Sequence, residues 1–455
     1  MQFYSSIRAL NNAYQSGETT PLRYVTGLLE RAKQMEKGVF ITLLETRALQ
    51  EATASTARWN AGNPLGLFDG VPTVWKDLFD IEDTVTTGAS LAYANAPVKT
   101  KDAPAVAFYS AQGGINLGKV GLSELAYSGL GINPEMGTPS NPRDAENTRI
   151  PGGSSSGTAV AVARDIVSFG MGTDTSGSIR IPASMQGLYG YKPQGDFFPD
   201  TAGIMPLSTT LDVFGPIAGS LQDCFDLFSL FQGHEQTLLE KMPKETSPYR
   251  YIVPSNLSRM SIDTDVLENF EAVIVMLQNA GIQVEYSEMP AIDAVADITQ
   301  KYGTFAAVEA TYYHQNVLAD ERKNLINPRV SSRMARVETM SALDFYTLQT
   351  LRESWVQAVK AQYANACILM PTVPMEAPLQ APLEADDALF NQENLRAMSL
   401  TVIANFLAWD SITIPMGLGD ENMPLGLMLS SVDGDAGKLF IASNFIDRLL
   451  TGNQR

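Results

Sequence analysis

The chain has 455 residues, 45% of them hydrophobic, and sets 32 Lys and Arg against 50 Asp and Glu for a formal charge of −18. Such a field disfavours nucleic acid and anionic membrane as partners, because both bind through a basic footprint. No apolar run approaches the roughly 18 residues a transmembrane helix needs, and the start, Met1 to Arg8, lacks the basic-then-apolar pattern of a secretory signal. The expectation is a soluble, cytoplasmic protein. Cys224 and Cys367 stand far apart in apolar surroundings, which reads as two buried thiols and not as a disulfide or metal framework.

Residues 1–60 read as helical, with Tyr24, Leu28, Leu29 and Ala32 at helical spacing. From Gly66 to Gly219 short apolar runs are punctuated by Gly, Pro and Ser, a texture that suits strands and helices alternating around a sheet. Lys76 ends the apolar run Val71-Pro-Thr-Val-Trp75, so a strand there would carry its ammonium into the interior, where lysines are rarely found. Gly113 to Val120 nearly matches a phosphate-binding loop, but Val120 replaces the hydroxyl that would hold Mg²⁺. Gly170-Met-Gly172 begins a dinucleotide fingerprint, and Thr175 stands where its third glycine belongs.

Between the clusters Gly152–Gly157 and Gly172–Ala183 lies an Ala/Val-rich segment, Thr158 to Met171, that reads as a helix broken at Arg164-Asp165 and then a strand. Gly233 to Arg250 is polar and reads as a linker or surface excursion, and residues 262–363 read as mostly helical apart from a strand near Gln283–Tyr286. Cys367–Met370 suggests a buried strand, after which Pro371, Pro374, Pro378 and Pro382 predict an extended path to about Asp387. Ser411–Ile414 and Leu425–Leu429 then read as strands, and Gly437–Leu450 as a closing helix.

The two Ser/Gly clusters carry the chemistry. Acyl transfer from an amide needs a nucleophile, a base, and backbone N–H groups aimed at the developing oxyanion. Thr175-Ser-Gly-Ser178 offers a hydroxyl and a run of amides together; taken alone it is equally a strand-to-helix turn with Ser178 as a cap. Gly152-Gly-Ser-Ser-Ser-Gly157 holds more hydroxyls than a helix cap requires. The chain has only two histidines, His234 and His314, neither in metal-ligand spacing, so the base is sought among lysines and no metal or cofactor is expected. A lysine must lose much of its usual pKa of about 10.4 to act at neutral pH, and the buried setting of Lys76 offers that. Ser–Lys pairs are a known alternative to the Ser-His-Asp triad.

These residues closely resemble the amidase signature family. Lys76-Asp77, Gly152–Gly157 and Gly172–Ala183 match its hallmarks in order, and the likeness extends through Gly131–Pro139, Gly190–Pro193, Asn405, Ile414–Gly417 and Pro424–Gly426. The resemblance implies a single large α/β domain, 61–455, with a central mixed, twisted β-sheet covered on both faces by helices. Residues 1–60 would pack on it, the catalytic core would span about 66–220, and a more variable helical region about 233–365. It implies Ser178 as nucleophile, Ser154 as a bridging serine after a cis peptide bond, and Lys76 as terminal base, the three forming a continuous hydrogen-bonded chain. Thr175, Ser176, Gly177 and Ser178 would give the oxyanion amides, with Asp174, Arg180 and Ser155 in support. Ser176 departs from the family, where glycine is usual. Substrate contacts are expected around Tyr127-Ser128, Thr201–Pro206, residues 300–355 and the loop 371–387. The implied activity is hydrolysis of a small-molecule carboxamide, and a homodimer is compatible with it. The alternatives are the glutaminase subunit of a tRNA-dependent amidotransferase, a ureido or biuret-type hydrolase, and an inactive scaffold.

Overall fold

The computed structural model describes residues 2–195, 200–233 and 249–452. The short apolar runs become strands of one sheet: β1 (Phe40–Leu43), β2 (Pro72–Lys76), β3 (Ile115–Val120), β4 (Phe169–Asp174), β5 (Tyr189–Lys192), β6 (Val213–Ala218), β7 (Arg250–Pro254), β8 (Val284–Ser287), β9 (Ala366–Pro371), β10 (Asp410–Leu418) and β11 (Pro424–Ser431). Their order across the sheet is β1-β3-β2-β4-β6-β5-β10-β11-β9-β7-β8. Pairing is mixed: β2 runs parallel to β3 and β4, β7 parallel to β8 and β9, and β4–β6–β5–β10–β11–β9 antiparallel.

Every residue of β2, β3, β4, β6, β9 and β11 is buried, so these strands are covered on both faces and read as continuous apolar runs instead of alternating ones. The cover is helical: Glu45–Asn60 packs on β3, Ser156–Ala163 on β4, Leu221–Gln232 on β6 and Ala436–Gly452 on β10. Cys224 and Cys367 are buried free thiols.

The structure corrects two details of the sequence reading. Residues 1–60 are not wholly helical, because β1 lies between the helices Pro21–Ala32 and Glu45–Asn60. That four-residue strand is set by its antiparallel pairing with β3, a tertiary contact without a local pattern. The proline-rich path is extended only as far as Leu379; Gln380–Ala385 is a helical turn, with Pro382 in its first turn, where no intrahelical donor is lost. The Ala/Val helix ends at Ala163, at the break expected at Arg164-Asp165, and Asp165, at φ 57°, turns the chain toward β4. Most of the polar excursion at 233–250, with His234, lies outside the described residues.

Candidate active site

Lys76 closes β2 and is fully buried, as the apolar run ahead of it predicts. Its Nζ donates to Ser154 Oγ (2.6 Å) and to Thr173 Oγ1 (2.8 Å) on the neighbouring strand β4. Burial pushes its pKa down to about 7, opposed by the negative charges of Asp174 and Asp212. An amine in this state exchanges a proton at neutral pH. The adjacent Asp77 does not compete for it, because Asp77 forms a buried ion pair with Lys119 (2.7 Å). Lys119, the lysine of the phosphate-loop look-alike, is thereby committed to holding the turn after β2.

Ser154 follows a cis Gly153–Ser154 peptide. Its carbonyl accepts from Ser123 N–H (3.1 Å) and Ser156 N–H (2.9 Å), while Gly153 N–H donates to the Gly129 carbonyl (2.7 Å). A Cβ on Gly153 would lie 2.5 Å from the Gly131 nitrogen, so only glycine fits this turn. Ser155 joins the two clusters: its N–H donates to the Ser178 carbonyl (3.2 Å) and its hydroxyl to the Thr173 carbonyl (3.3 Å).

Asp174, the last residue of β4, braces the loop that carries Ser178. Its carboxylate accepts from Gly177 N–H (2.8 Å), Ile179 N–H (3.1 Å), Asn405 Nδ2 (2.9 Å) and both Nε (3.0 Å) and Nη2 (3.0 Å) of Arg180. Burial alone would raise its pKa, but the Arg180 guanidinium overrides that and holds the carboxyl well below the usual range. Two further side chains fix the loop from outside: Thr401 Oγ1 donates to the Ser176 carbonyl (2.6 Å), and Thr175 Oγ1 donates to Asp212 Oδ1 (2.5 Å). Asp212 also accepts the Leu207 and Ser208 amides, and burial pushes its pKa up to about 6.

Two expectations for this loop need correction. The Gly177 N–H, expected among the oxyanion amides, is donated to Asp174 and faces that carboxylate. The hydrogen-bonded chain runs from Lys76 to Ser154 and stops; among the described residues no side-chain hydrogen bond links Ser154 to Ser178. Ser178 is only 6% exposed.

Around the site, the stretch Thr201–Pro206 lines a cavity of about 570 Å³ together with Leu78, Thr173, Asp212 and Phe214, so it opens beside the residue that Lys76 contacts. Ser128 is spent internally, donating to Asn394 Oδ1 (2.9 Å), and half-buried Tyr127 gives its carbonyl to Arg333 Nη1. His314 is buried, and its Nδ1 shares a hydrogen bond with the Tyr93 hydroxyl (2.5 Å), away from the serines. Among the described residues no group of three or more His, Cys, Asp or Glu side chains is arranged to hold a metal ion, and no helix is long and apolar enough to cross a membrane. Sequence reasoning missed Thr401, Asp212, Asn394 and Arg333. The first three are ordinary polar residues in helices or turns, and no local pattern marks them.

The family model described as Amidase matches residues 23–439. The chain belongs to the amidase signature family. It is 31% identical to the 2-amino-5-chloromuconic acid deaminase of Comamonas testosteroni, over 84% of this chain and 82% of that protein. It is 27% identical to a glutamyl-tRNA(Gln) amidotransferase subunit of Leptospira interrogans, over 95% of this chain and 93% of that one. A crystal structure of an amidase superposes with a TM-score of 0.85 at 26% identity, covering 98% of this chain and 100% of its own. A bacterial aryl acylamidase shares the fold, with a TM-score of 0.86 at 20% identity over 99% of this chain and 97% of that one. By family this amidase is an amidohydrolase, cleaving carbon–nitrogen bonds.

Proposed function

We propose that the protein hydrolyses a small-molecule carboxamide through an acyl-enzyme on Ser178, with Ser154 and Lys76 as the proton relay. The observation that carries this reading is the 2.6 Å contact between Ser154 Oγ and a fully buried Lys76 whose pKa lies at about 7. Neutral Lys76 takes a proton through Ser154 as Ser178 attacks the carbonyl carbon. The amides of Thr175, Ser176 and Ser178 receive the developing oxyanion, and in sites of this kind that stabilisation is usually the largest contribution to rate. The relay then returns the proton to the leaving nitrogen, and water releases the acid by the same path. A bound substrate must draw Ser178 and Ser154 together, since catalytic contacts often tighten only in the complex. Asp174 and Arg180 act on the geometry of the loop and not on the substrate.

Ser178→Ala should abolish covalent labelling by a fluorophosphonate; label retained at another residue overturns the assignment. Lys76→Ala should slow amides far more than reactive esters, because only the poor leaving group needs its proton returned. Equal losses on both would remove Lys76 from the relay. The full-length likeness to an amidotransferase component favours one second reading, ammonia supply from glutamine to a partner. Glutaminase activity that appears only when such partners are added would decide for it.

A further inference from the structure

A cavity of about 300 Å³ lies against the supports of the Ser178 loop, lined among others by Lys192, Thr209, Asp212, Arg352 and Asn405. Two of these hold the loop directly. Asp212 accepts from Thr175 Oγ1 (2.5 Å), and Asn405 donates to Asp174 (2.9 Å) and accepts from Arg180 Nη2 (2.5 Å). Lys76, Ser154 and Ser178 do not line the cavity, so an occupant would touch the supports of the loop without taking the place of the amide.

The cavity is rich in donors that have nothing to give to. Arg352, on the helix Ala342–Gln362, forms no hydrogen bond or ion pair with any described residue, and its Nε is buried without an acceptor. Its guanidinium lies 5.9 Å from the Phe305 ring centroid, a contact that leaves its N–H edge open. Buried Lys192 donates to the Pro193 (3.0 Å) and Trp409 (2.7 Å) carbonyls, which uses two of its three ammonium protons. Thr209 Oγ1 accepts from the Tyr313 hydroxyl (3.3 Å) and keeps its own proton to give. The carboxylates nearby are spent. Asp212 also accepts the Leu207 and Ser208 amides, and Glu309, whose charge reaches Arg352, accepts from Ser208 Oγ and Thr210 Oγ1. Two cations thus face one lining carboxylate inside a chain of charge −18. Burial lowers the pKa of both, helped at Lys192 by the Arg180 charge, and an anion placed between them reverses that deficit.

We propose that this cavity is an effector site for a phosphate group, held by Arg352, Lys192 and Thr209, whose presence Asp212 and Asn405 pass to the Ser178 loop. The three donors come from separate segments: the end of β5, the turn ahead of β6, and a helix. They call for oxygens pointing in several directions, which a tetrahedral anion has and a planar carboxylate lacks. Inorganic phosphate and a phosphomonoester with a short carbon chain share that chemistry, and the volume admits either. Occupation would tie Arg352 to the segment that carries Asp212, and so steady Thr175 and the nucleophile beyond it. The binding site stands independently of the amidase reading above; its effect on Ser178 rests on that reading.

The test titrates the full chain with inorganic phosphate and with glycerol 3-phosphate by calorimetry, at ionic strength held constant with chloride. Saturable binding of either supports the site, and a tighter ester identifies an organic phosphate as the better occupant. Arg352→Met should weaken binding roughly 10- to 100-fold, the worth of a charge-assisted contact, and Arg352→Lys should restore part of it. Thr209→Val, a smaller change, should weaken it roughly fivefold. Circular dichroism and unchanged basal fluorophosphonate labelling verify that each variant is folded. In the wild type, saturating phosphate should speed labelling of Ser178 at least roughly fivefold, and Arg352→Met should lose that response. No binding of either compound, or equal binding by a folded Arg352→Met, overturns the site. Binding that leaves the labelling rate unchanged or lowers it overturns the effector role. No label at Ser178 under any condition overturns the amidase reading and the effector role with it, while calorimetry still decides the site.

Discussion

Replacing Lys76 with methionine should abolish amide turnover and make the protein more stable at neutral pH. The pKa of Lys76 falls from 10.5 to about 7 in the folded chain. At roughly 1.4 kcal/mol per tenfold, that drop holds about 5 kcal/mol against folding at pH 7 and below. Methionine fills nearly the same volume without that penalty, but it abandons Ser154 Oγ and Thr173 Oγ1, two buried contacts worth about 1 kcal/mol each. The expected net gain is about 3 kcal/mol at pH 7. The sign of its pH dependence is fixed: between the folded and unfolded pKa values only the unfolded lysine holds the proton, so wild-type stability rises with pH across that window. The advantage of Lys76→Met should therefore shrink above pH 7 and vanish near about pH 9.5, as other groups titrate alike in both proteins. Urea unfolding of the two proteins at about pH 7 and about pH 9.5 measures it. A variant less stable than wild type at pH 7, or a difference that ignores pH, refutes the reasoning.

The same lysine places the acid limb of the kcat/KM profile near pH 7, and Asp212→Asn should move that limb to lower pH, because it removes a negative charge that favours the ammonium; an unmoved limb would detach Asp212 from Lys76. Asp174→Asn leaves Arg180 buried beside a neutral partner, and should cost about 3–5 kcal/mol in urea unfolding and most of the turnover. Gly177→Ala drives a Cβ into Thr401 Oγ1 at φ +130°, so kcat should fall at least roughly tenfold while the protein remains folded by circular dichroism. Wild-type turnover in that variant would mean the loop is less constrained than its contacts imply.

The members of the proposed relay stand out in the sequence because each breaks a local expectation: a lysine ending an apolar run, and hydroxyls beyond what a helix cap needs. Asp174, Arg180 and Ser155 were expected as supports from the resemblance, but Thr401 and Asp212 were not, since they reach the Ser178 loop from segments farther along the chain and look like ordinary polar residues there. The Gly177 amide misled for a related reason. A run of small residues announces convergent N–H groups, but which one turns toward Asp174 depends on φ values that composition does not encode. Arg333 escaped notice because an arginine in a short polar helix reads as solvated, and its burial comes from Tyr127 and Phe390. The strands from β2 to β6 were expected as a group from their apolar texture, whereas β1 exists only through its partner β3.

The order of the sheet also bears on how the chain is made. Strands β1 to β6 lie together on one side, β7 to β11 on the other, and the seam between them is β5 against β10. On the ribosome β5 therefore emerges long before its second neighbour, and its bare edge invites pairing with other nascent chains. Lys192 sits on that edge, and in the finished protein its Nζ donates to the Trp409 (2.7 Å) and Pro193 (3.0 Å) carbonyls with its pKa pushed down to about 7, chiefly by burial. While the edge waits it is an ordinary solvated cation, which repels strand partners that cannot accommodate a charge. Trp409, one residue ahead of β10, supplies the carbonyl that lets it be buried, so the same lysine guards the open edge and admits the correct strand.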